Sequence, residues 1–344
     1  MDILRSLDKT NNEIEHFVYL FEECNLQCSF CWQDHNSKVG QDSIAQRATD
    51  LICDIQQDRT RPHCVNIMGG ELFHDDISDS LFDDYYCLIS DIQHFANREC
   101  IAVSFTFVTN LIYDNITRVI NLITSLRKIA NVSLTTSYDP VGRFNKHNRD
   151  LFFKNLETVR NIDLSLITNV SVVMTRPNII HLMNQADDQL CWIYNNFSLY
   201  FDYYSPNQTA PFHTPTESEM LSFFRWAIKT YPNAGPIVTW KVNKVNQTSC
   251  RRSQITGPNG NQGRCCSLLD EFPQRDKNLI PVFNISDNRD MERWYMDQKG
   301  CLHCEFFQRC TMGCFLIHTH SLCNDMKDQC IYKIIFNEHP EWPK

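Results

Sequence analysis

The sequence has no apolar run of about 18 residues, so it predicts no membrane-spanning helix. Its amino end, MDILRSLDKTNNEIEHF, lacks the basic stretch and following apolar run of a secretory signal. Basic residues are outnumbered, 32 Lys and Arg against 41 Asp and Glu, leaving a net charge of −9. A field of that sign repels a phosphate backbone and argues against a nucleic-acid partner. Internal repeats and low-complexity tracts are missing as well. These absences predict a soluble, cytoplasmic protein with no membrane contact. Its 42% hydrophobic and 21% charged residues are ordinary for a globular chain with a sizeable core.

Cysteine, by contrast, is abundant: 17 in 344 residues. In a reducing compartment such a number points to metal rather than disulfides. Three crowd the stretch CNLQCSFC, residues 24–31, and nine lie between 250 and 330. The remaining Cys53, Cys64, Cys87, Cys100 and Cys191 sit in apolar or mixed segments and are expected to be small buried residues.

From residue 15 to 204 the chain alternates β-branched or aromatic runs with helical patterns. Candidate strands cover 15–21, 64–68, 101–108, 131–137, 165–174 and 197–204. Helical stretches fall near 41–57, 78–97, 113–129, 149–161 and 178–190. Consecutive βα units predict an α/β fold, a partial (β/α)6 TIM-like barrel whose ligands gather at the carboxyl ends of the strands. Residues 1–14 form an N-terminal segment, 15–204 the barrel, 205–245 a connecting helical segment and 246–344 a small cysteine-rich domain. In the connection, Thr216 and Glu219 make a capping box ahead of MLSFFRWAI. The last segment has too little apolar periodicity to order itself by burial, so metal clusters would supply the missing order.

Cys24, Cys28 and Cys31 follow the first candidate strand directly. Structural zinc normally takes four ligands, and beyond these thiols His35 is the nearest candidate. Three thiolates on one tight loop suit three corners of a 4Fe–4S cube with one iron left open. Cys-x3-Cys-x2-Cys followed by an aromatic, here Trp32, resembles the signature of radical S-adenosylmethionine (SAM) enzymes. The resemblance implies that SAM chelates the open iron, is reductively cleaved, and yields a 5′-deoxyadenosyl radical that abstracts hydrogen from substrate.

The same resemblance assigns further positions. Gly69-Gly70-Glu71 after the second strand matches the family's GGE element, which receives the methionine amino group. Asn110 ends a TNG-like segment in which Leu111 replaces glycine, and Ser137-Tyr138-Asp139-Pro140 is similar to S-x-D-G-P without its glycine. Ser137 would contact the SAM ribose. Arg143 and Arg149 compete for the SAM carboxylate. Asn110 and Ser137 could instead be mere turn formers, the lesser of the two readings.

Farther along, Cys250, Gly260 and Cys265, then Cys301, Cys304, Cys310 and Cys314, then a last thiol, follow the spacing of the SPASM extension found in many radical SAM enzymes. CLHC with His303, His318 and His320 could instead be a zinc site. The resemblance implies two auxiliary clusters and three 4Fe–4S clusters in all. Cys250, Cys265 and Cys314 would serve one auxiliary cluster, whose fourth ligand is either Cys266 or none. Cys301, Cys304 and Cys310 would serve the other, with Cys330 favoured over Cys323. Such enzymes mostly modify peptides or proteins by crosslinking, oxidation or epimerisation, and an electron donor such as flavodoxin or ferredoxin is implied. The start only about fifteen residues before the first strand leaves no room for a leader-recognition domain, which could be a separate protein.

A formylglycine-forming role is disfavoured, because the position expected to hold an aspartate base is Cys266 and the nearest aspartate is Asp270. Asp202, Tyr203 and Tyr204 should face the cavity mouth as candidate catalytic residues, or else pack. The readings are thus an oxidoreductase-type radical SAM enzyme acting on a peptide, or one rearranging or dehydrogenating a small molecule or modified nucleotide. An iron–sulfur electron carrier or a zinc-stabilised module is the non-enzymatic alternative.

Overall fold

The structure, a computed structural model, describes residues 13–31, 33–204, 211–242, 253–263, 288–307, 310, 313–314, 324–326 and 329–342. The barrel begins with β1 (Ile14–Tyr19), followed by α1 (Ile44–Gln57), β2 (His63–Met68) and α2 (Asp79–Glu99). It continues through β3 (Val103–Val108), α3 (Ile116–Leu126), β4 (Asn131–Ser137) and α4 (Lys146–Asp163). Next come β5 (Ile167–Val173), α5 (Arg176–Asn184), α6 (Asp188–Asn196) and β6 (Leu199–Asp202). All six predicted strands are present. The single helix expected near 178–190 is two, because Asp187 breaks off α5 and caps α6 by accepting from the Leu190 backbone N–H at 2.9 Å.

Beyond them stand α7 (Glu217–Thr230), α8 (Ile237–Val242), β7 (Ser253–Thr256), β8 (Gln262–Gly263), α9 (Asn288–Gln298) and α10 (Ile331–Glu338). The strand order is β6-β5-β4-β3-β2-β1-β7-β8, with only β8 antiparallel to its neighbour. Strands β7 and β8 were not anticipated. They are short, lie in a polar cysteine-rich stretch and carry little periodicity, yet β7 extends the sheet beside β1, pairing Phe17 with Ile255.

The strands alternate, although a fully parallel sheet usually carries apolar residues on both faces. Val18, Val65, Ile67, Phe105, Phe107, Val132, Leu134, Val170, Val172 and Phe201 are at most 1% exposed. Each such side chain is worth about 1.5–3 kcal/mol when removed from water. On the opposite face stand half-buried Thr106, Ser133, Thr135, Asn169 and Ser171. They are joined by a ladder from Thr106 Oγ1 to Ser133 Oγ at 3.2 Å, Thr135 Oγ1 to Asn169 Oδ1 at 2.6 Å and Asn169 Nδ2 to Ser171 Oγ at 3.0 Å. The inner face of β3 to β5 is therefore polar at this level rather than a second apolar core.

The capping box at the start of α7 forms as expected, with Thr216 N–H donating to Glu219 at 2.9 Å and Glu219 N–H donating to Thr216 Oγ1 at 3.2 Å. Phe224 of α7, Trp240 of α8 and Tyr332 of α10 stack edge to face and tilted, tying the carboxyl-terminal elements to the barrel. The scattered cysteines correct an expectation: Cys53, Cys87, Cys100 and Cys191 are exposed and Cys64 is half-buried. Cys53, Cys87 and Cys191 stand on outward positions of amphipathic helices, Cys100 is the left-handed residue (φ +57°) that ends α2, and Cys64 lies on β2. Among the described residues no helix is long and apolar enough to cross a membrane.

Candidate functional site

The loop after β1 is built to present sulfur. Cys24 N–H donates to His35 O at 3.0 Å, Leu26 N–H to Cys24 Sγ at 3.4 Å, and Cys31 N–H to Cys28 O at 3.0 Å. Its root is clamped by the segment after β2, where Gly70 N–H donates to Phe21 O and Glu71 N–H to Glu23 O, each at 2.9 Å. A Cβ at Gly70 would lie 1.9 Å from Glu23 O, and one at Gly69 2.5 Å from Phe21 O, so both positions demand glycine. The loop's far side rests on Gly142, at φ +88°, whose carbonyl accepts from Ser29 N–H at 3.0 Å.

Cys24, Cys28 and Cys31 line one cavity of about 460 Å³ with Gly69, Gly70, Thr109, Asn110, Ser137 and Arg143. The far wall is Phe17, Tyr19, Met68, Val173, Asp202, Tyr203, Tyr204, Ser253, Ile255 and Cys314. Strands β1 to β7 all contribute, so the sheet curls around this space at its carboxyl edge. Among the described residues no three Cys, His, Asp or Glu side chains close on a single metal ion.

Burial pushes the Cys24 thiol up to about 12, with Glu71 and the other two thiols adding to it. Burial also raises Cys28, against the opposing pull of Arg143. Arg143 reaches Asp139 at 2.9 Å, and that carboxylate is fully buried. Burial opposes the Arg143 charge, but Asp139 and the three thiols together outweigh it and hold its pKa above the ordinary value. Arg149 does not line the cavity; its Nε is buried with no hydrogen-bond partner. Of the two competing arginines, geometry places Arg143 beside the cysteine loop.

Glu71 differs from expectation. It is fully buried and absent from the cavity wall. Its carboxylate accepts from Phe73 N–H at 3.0 Å, Thr109 Oγ1 at 2.8 Å and Asn110 N–H at 2.5 Å. It thus welds the ends of β2 and β3 together, and burial pushes its pKa up to about 7 against those donors. Asn110 donates to Asn25 Oδ1 at 2.8 Å, bracing the cysteine loop while lining the cavity. Leu111, standing where the motif has glycine, adopts the glycine-like φ of +56°. Asn155 enforces it by donating to Leu111 O at 3.0 Å and Tyr113 O at 2.7 Å. In the following loop, Gly142 supplies the left-handed residue that the 137–140 stretch lacks.

Asp202 and Tyr203 line the cavity as expected of the end of β6. The Asp202 carboxyl is pushed up to about 6, by burial within the chamber first and Asp139 second, while a hydrogen bond from the Tyr203 backbone lowers it. Tyr203 OH lies 3.0 Å from Tyr332 OH.

A second cavity, of about 200 Å³, is lined by Cys301, Cys304, Cys310 and Cys330 together with Lys299, His303 and Lys333. Burial pushes Cys301 up to about 12, with Cys330 and Cys304 next in effect. Cys330 thus joins the three thiols it was paired with; Cys314 does not, and faces the first cavity instead. Lys299 is in a buried ion pair with Glu217 of α7 at 3.0 Å. Trp32, Cys250, Cys265, Cys266, Asp270 and Cys323 lie outside the described residues. Sequence reasoning missed Phe17, Tyr19, Ser253 and Ile255 in the cavity wall. The inward parity of β1 could have pointed to the first two, whereas Ser253 and Ile255 depend on an unanticipated strand.

The fold and the cysteine loop at the carboxyl end of its first strand define a class by architecture: a partial (β/α)6 barrel with a cysteine-rich carboxyl-terminal part. No family model and no curated protein matches the chain. Solved structures do. anSMEcpe with bound AdoMet is 12% identical, each chain is 96% covered, and the TM-score is 0.59; its complex with AdoMet and the Cp18Cys peptide gives the same values. Streptococcus suis SuiB is 14% identical over 91% of this chain and 76% of its own, with a TM-score of 0.52. Likenesses at such identity establish the fold.

Proposed function

We propose that this protein is a radical SAM enzyme whose resident cluster is held by Cys24, Cys28 and Cys31. The observation that carries this is the shared cavity. Three thiols from one loop stand around a space that also receives Gly69, Gly70, Asn110, Ser137 and Arg143. The donor set fits: three thiols from one loop face the same cavity, and three thiolates can take three corners of a cube. When bound, the cluster and SAM supply one-electron cleavage of the sulfonium and a 5′-deoxyadenosyl radical.

The chain's own residues do the rest. Arg143, held charged, offers its guanidinium to a carboxylate, while Gly69 and Gly70 let their segment close on the Phe21 and Glu23 carbonyls and line the cavity. Glu71 acts from behind, fixing both loops. Asp202, whose proton affinity lies near neutrality, can exchange a proton with substrate. Cys301, Cys304, Cys310 and Cys330 fit a second cluster, and Cys314 with Cys250 and Cys265 a third. The substrate is read as a peptide or protein side chain, supported by the peptide carried in one similar solved structure. Anaerobic incubation with SAM and dithionite tests the reading: 5′-deoxyadenosine forms even without substrate, whereas an electron carrier forms none.

A further inference from the structure

The proposed cofactors account for the cysteine-loop side of the main cavity and, through Cys314, for one point of its far wall. The other half lies between β1, β6 and β7, and its composition is selective. Four aromatic residues line it, Phe17 and Tyr19 from β1 and Tyr203 and Tyr204 after β6, with Ile255 of β7. Within this apolar setting stands one carboxylate, Asp202.

The charge inventory is unbalanced there. Among the described residues lining the cavity, Arg143 is the cation, and it is matched by Asp139 at 2.9 Å. His35 also lines it, on the cysteine-loop side, where its carbonyl accepts from Cys24 N–H at 3.0 Å. Asp202 accepts from the Tyr203 backbone and has no cation at ion-pair distance among the described residues. Asp202 is exposed to the cavity space; a carboxylate between apolar walls gains from a paired charge, and aromatic walls attract the same sign of charge through their ring quadrupoles. Two independent features therefore favour a cation, and the aliphatic and aromatic lining favours an apolar stem behind it.

We propose that this half of the cavity is a cation cage in which Asp202, Phe17, Tyr19, Tyr203 and Tyr204 receive the ammonium or guanidinium end of an aliphatic chain. The ligand is a lysyl or arginyl residue of a peptide, or a free alkylamine of similar length. The inference rests on the proposed function, since the substrate half is what remains once SAM is placed beside Arg143.

The test uses cluster-reconstituted protein titrated first with SAM and then, without reductant, with hexylammonium or the isosteric neutral hexanol. Hexylammonium should bind about ten- to hundredfold more tightly, the value of one charge-assisted hydrogen bond. Asp202→Asn should erase that preference. Capped Gly-Gly-Lys-Gly-Gly and its norleucine counterpart should show the same preference. Tighter binding of the lysyl peptide than of the amine identifies a peptidyl source, and the reverse a free amine. Equal binding of amine and alcohol, a preference that survives Asp202→Asn, or no saturable binding of either probe overturns the cage. Failure at the first step, with no SAM bound, brings down the proposed function itself.

Discussion

The barrel and the cysteine-rich carboxyl-terminal part solve the same problem by different means. Around β1 to β6 the order comes from apolar area: one face of every strand is sealed against helices, and the cysteines of the first loop sit on a scaffold that stands without them. In the described carboxyl-terminal elements, cysteines occupy core positions. Cys301 and Cys310 are 7% and 8% exposed, beside Phe306 and the aromatic face of α10. There the proposed ligands and the core are the same residues, so metal binding and folding would be one equilibrium. The proposal thus predicts that the first region keeps its shape without its cluster and that the second does not.

The largest effect is therefore functional and confined to the barrel. Cys24, Cys28 and Cys31 replaced together by alanine should abolish SAM cleavage while iron falls from about twelve to about eight per chain. Retained cleavage, or loss of all iron, would erase the distinction between the regions. Next is the bolt between them. Lys299→Met removes the buried cation beside Glu217 and should cost about 3–5 kcal/mol in urea unfolding. Adding Glu217→Leu should recover most of that; no recovery would show that the pair is not what joins α7 to the carboxyl-terminal elements.

A pH series sharpens the barrel side. The Glu71 carboxyl moves from an ordinary 4.5 to about 7 on folding. Folded protein holds this proton more tightly than unfolded chain does, so the contribution is full below about 4.5 and is lost as pH rises through about 7. Measured against Glu71→Gln, unfolding free energy should fall across that window by on the order of 3 kcal/mol. A flat difference contradicts the burial argument. The smallest effect is at Gly313, with φ +61°, where a Cβ would sit 1.9 Å from Tyr332 Oη and 2.9 Å from the Tyr203 ring. Gly313→Ala should cost about 1–2 kcal/mol, and Tyr332→Phe should restore the part due to collision. Thermal melts of the single and double variants check it, and equal melting of the two would deny the contact.

Much of the barrel was legible in the chain because period-two strands separated by amphipathic helices leave a strong local trace, and the three cysteines sit directly behind one such strand. Legibility failed where the decisive interaction is long-range. Strand β7 exists because β1 offers an edge, not because SQIT is a strong strand. Glu71 looked like a ligand for an amine, but the amides of Phe73 and Asn110 and the Thr109 hydroxyl claim it. Leu111 seemed an obstacle to the loop, and two hydrogen bonds from Asn155 hold it in a glycine's conformation. The choice between Arg143 and Arg149 turned on which one the turn of the chain brings to the cavity, information that spacing does not contain.

Electron–nuclear double resonance on the reduced protein with SAM carrying a 15N-labelled amino group examines the open coordination site itself. The account predicts a 15N hyperfine coupling to the cluster that vanishes in the Cys24, Cys28, Cys31 alanine variant. A reduced cluster with no coupling to the label, or the same coupling in that variant, would contradict it.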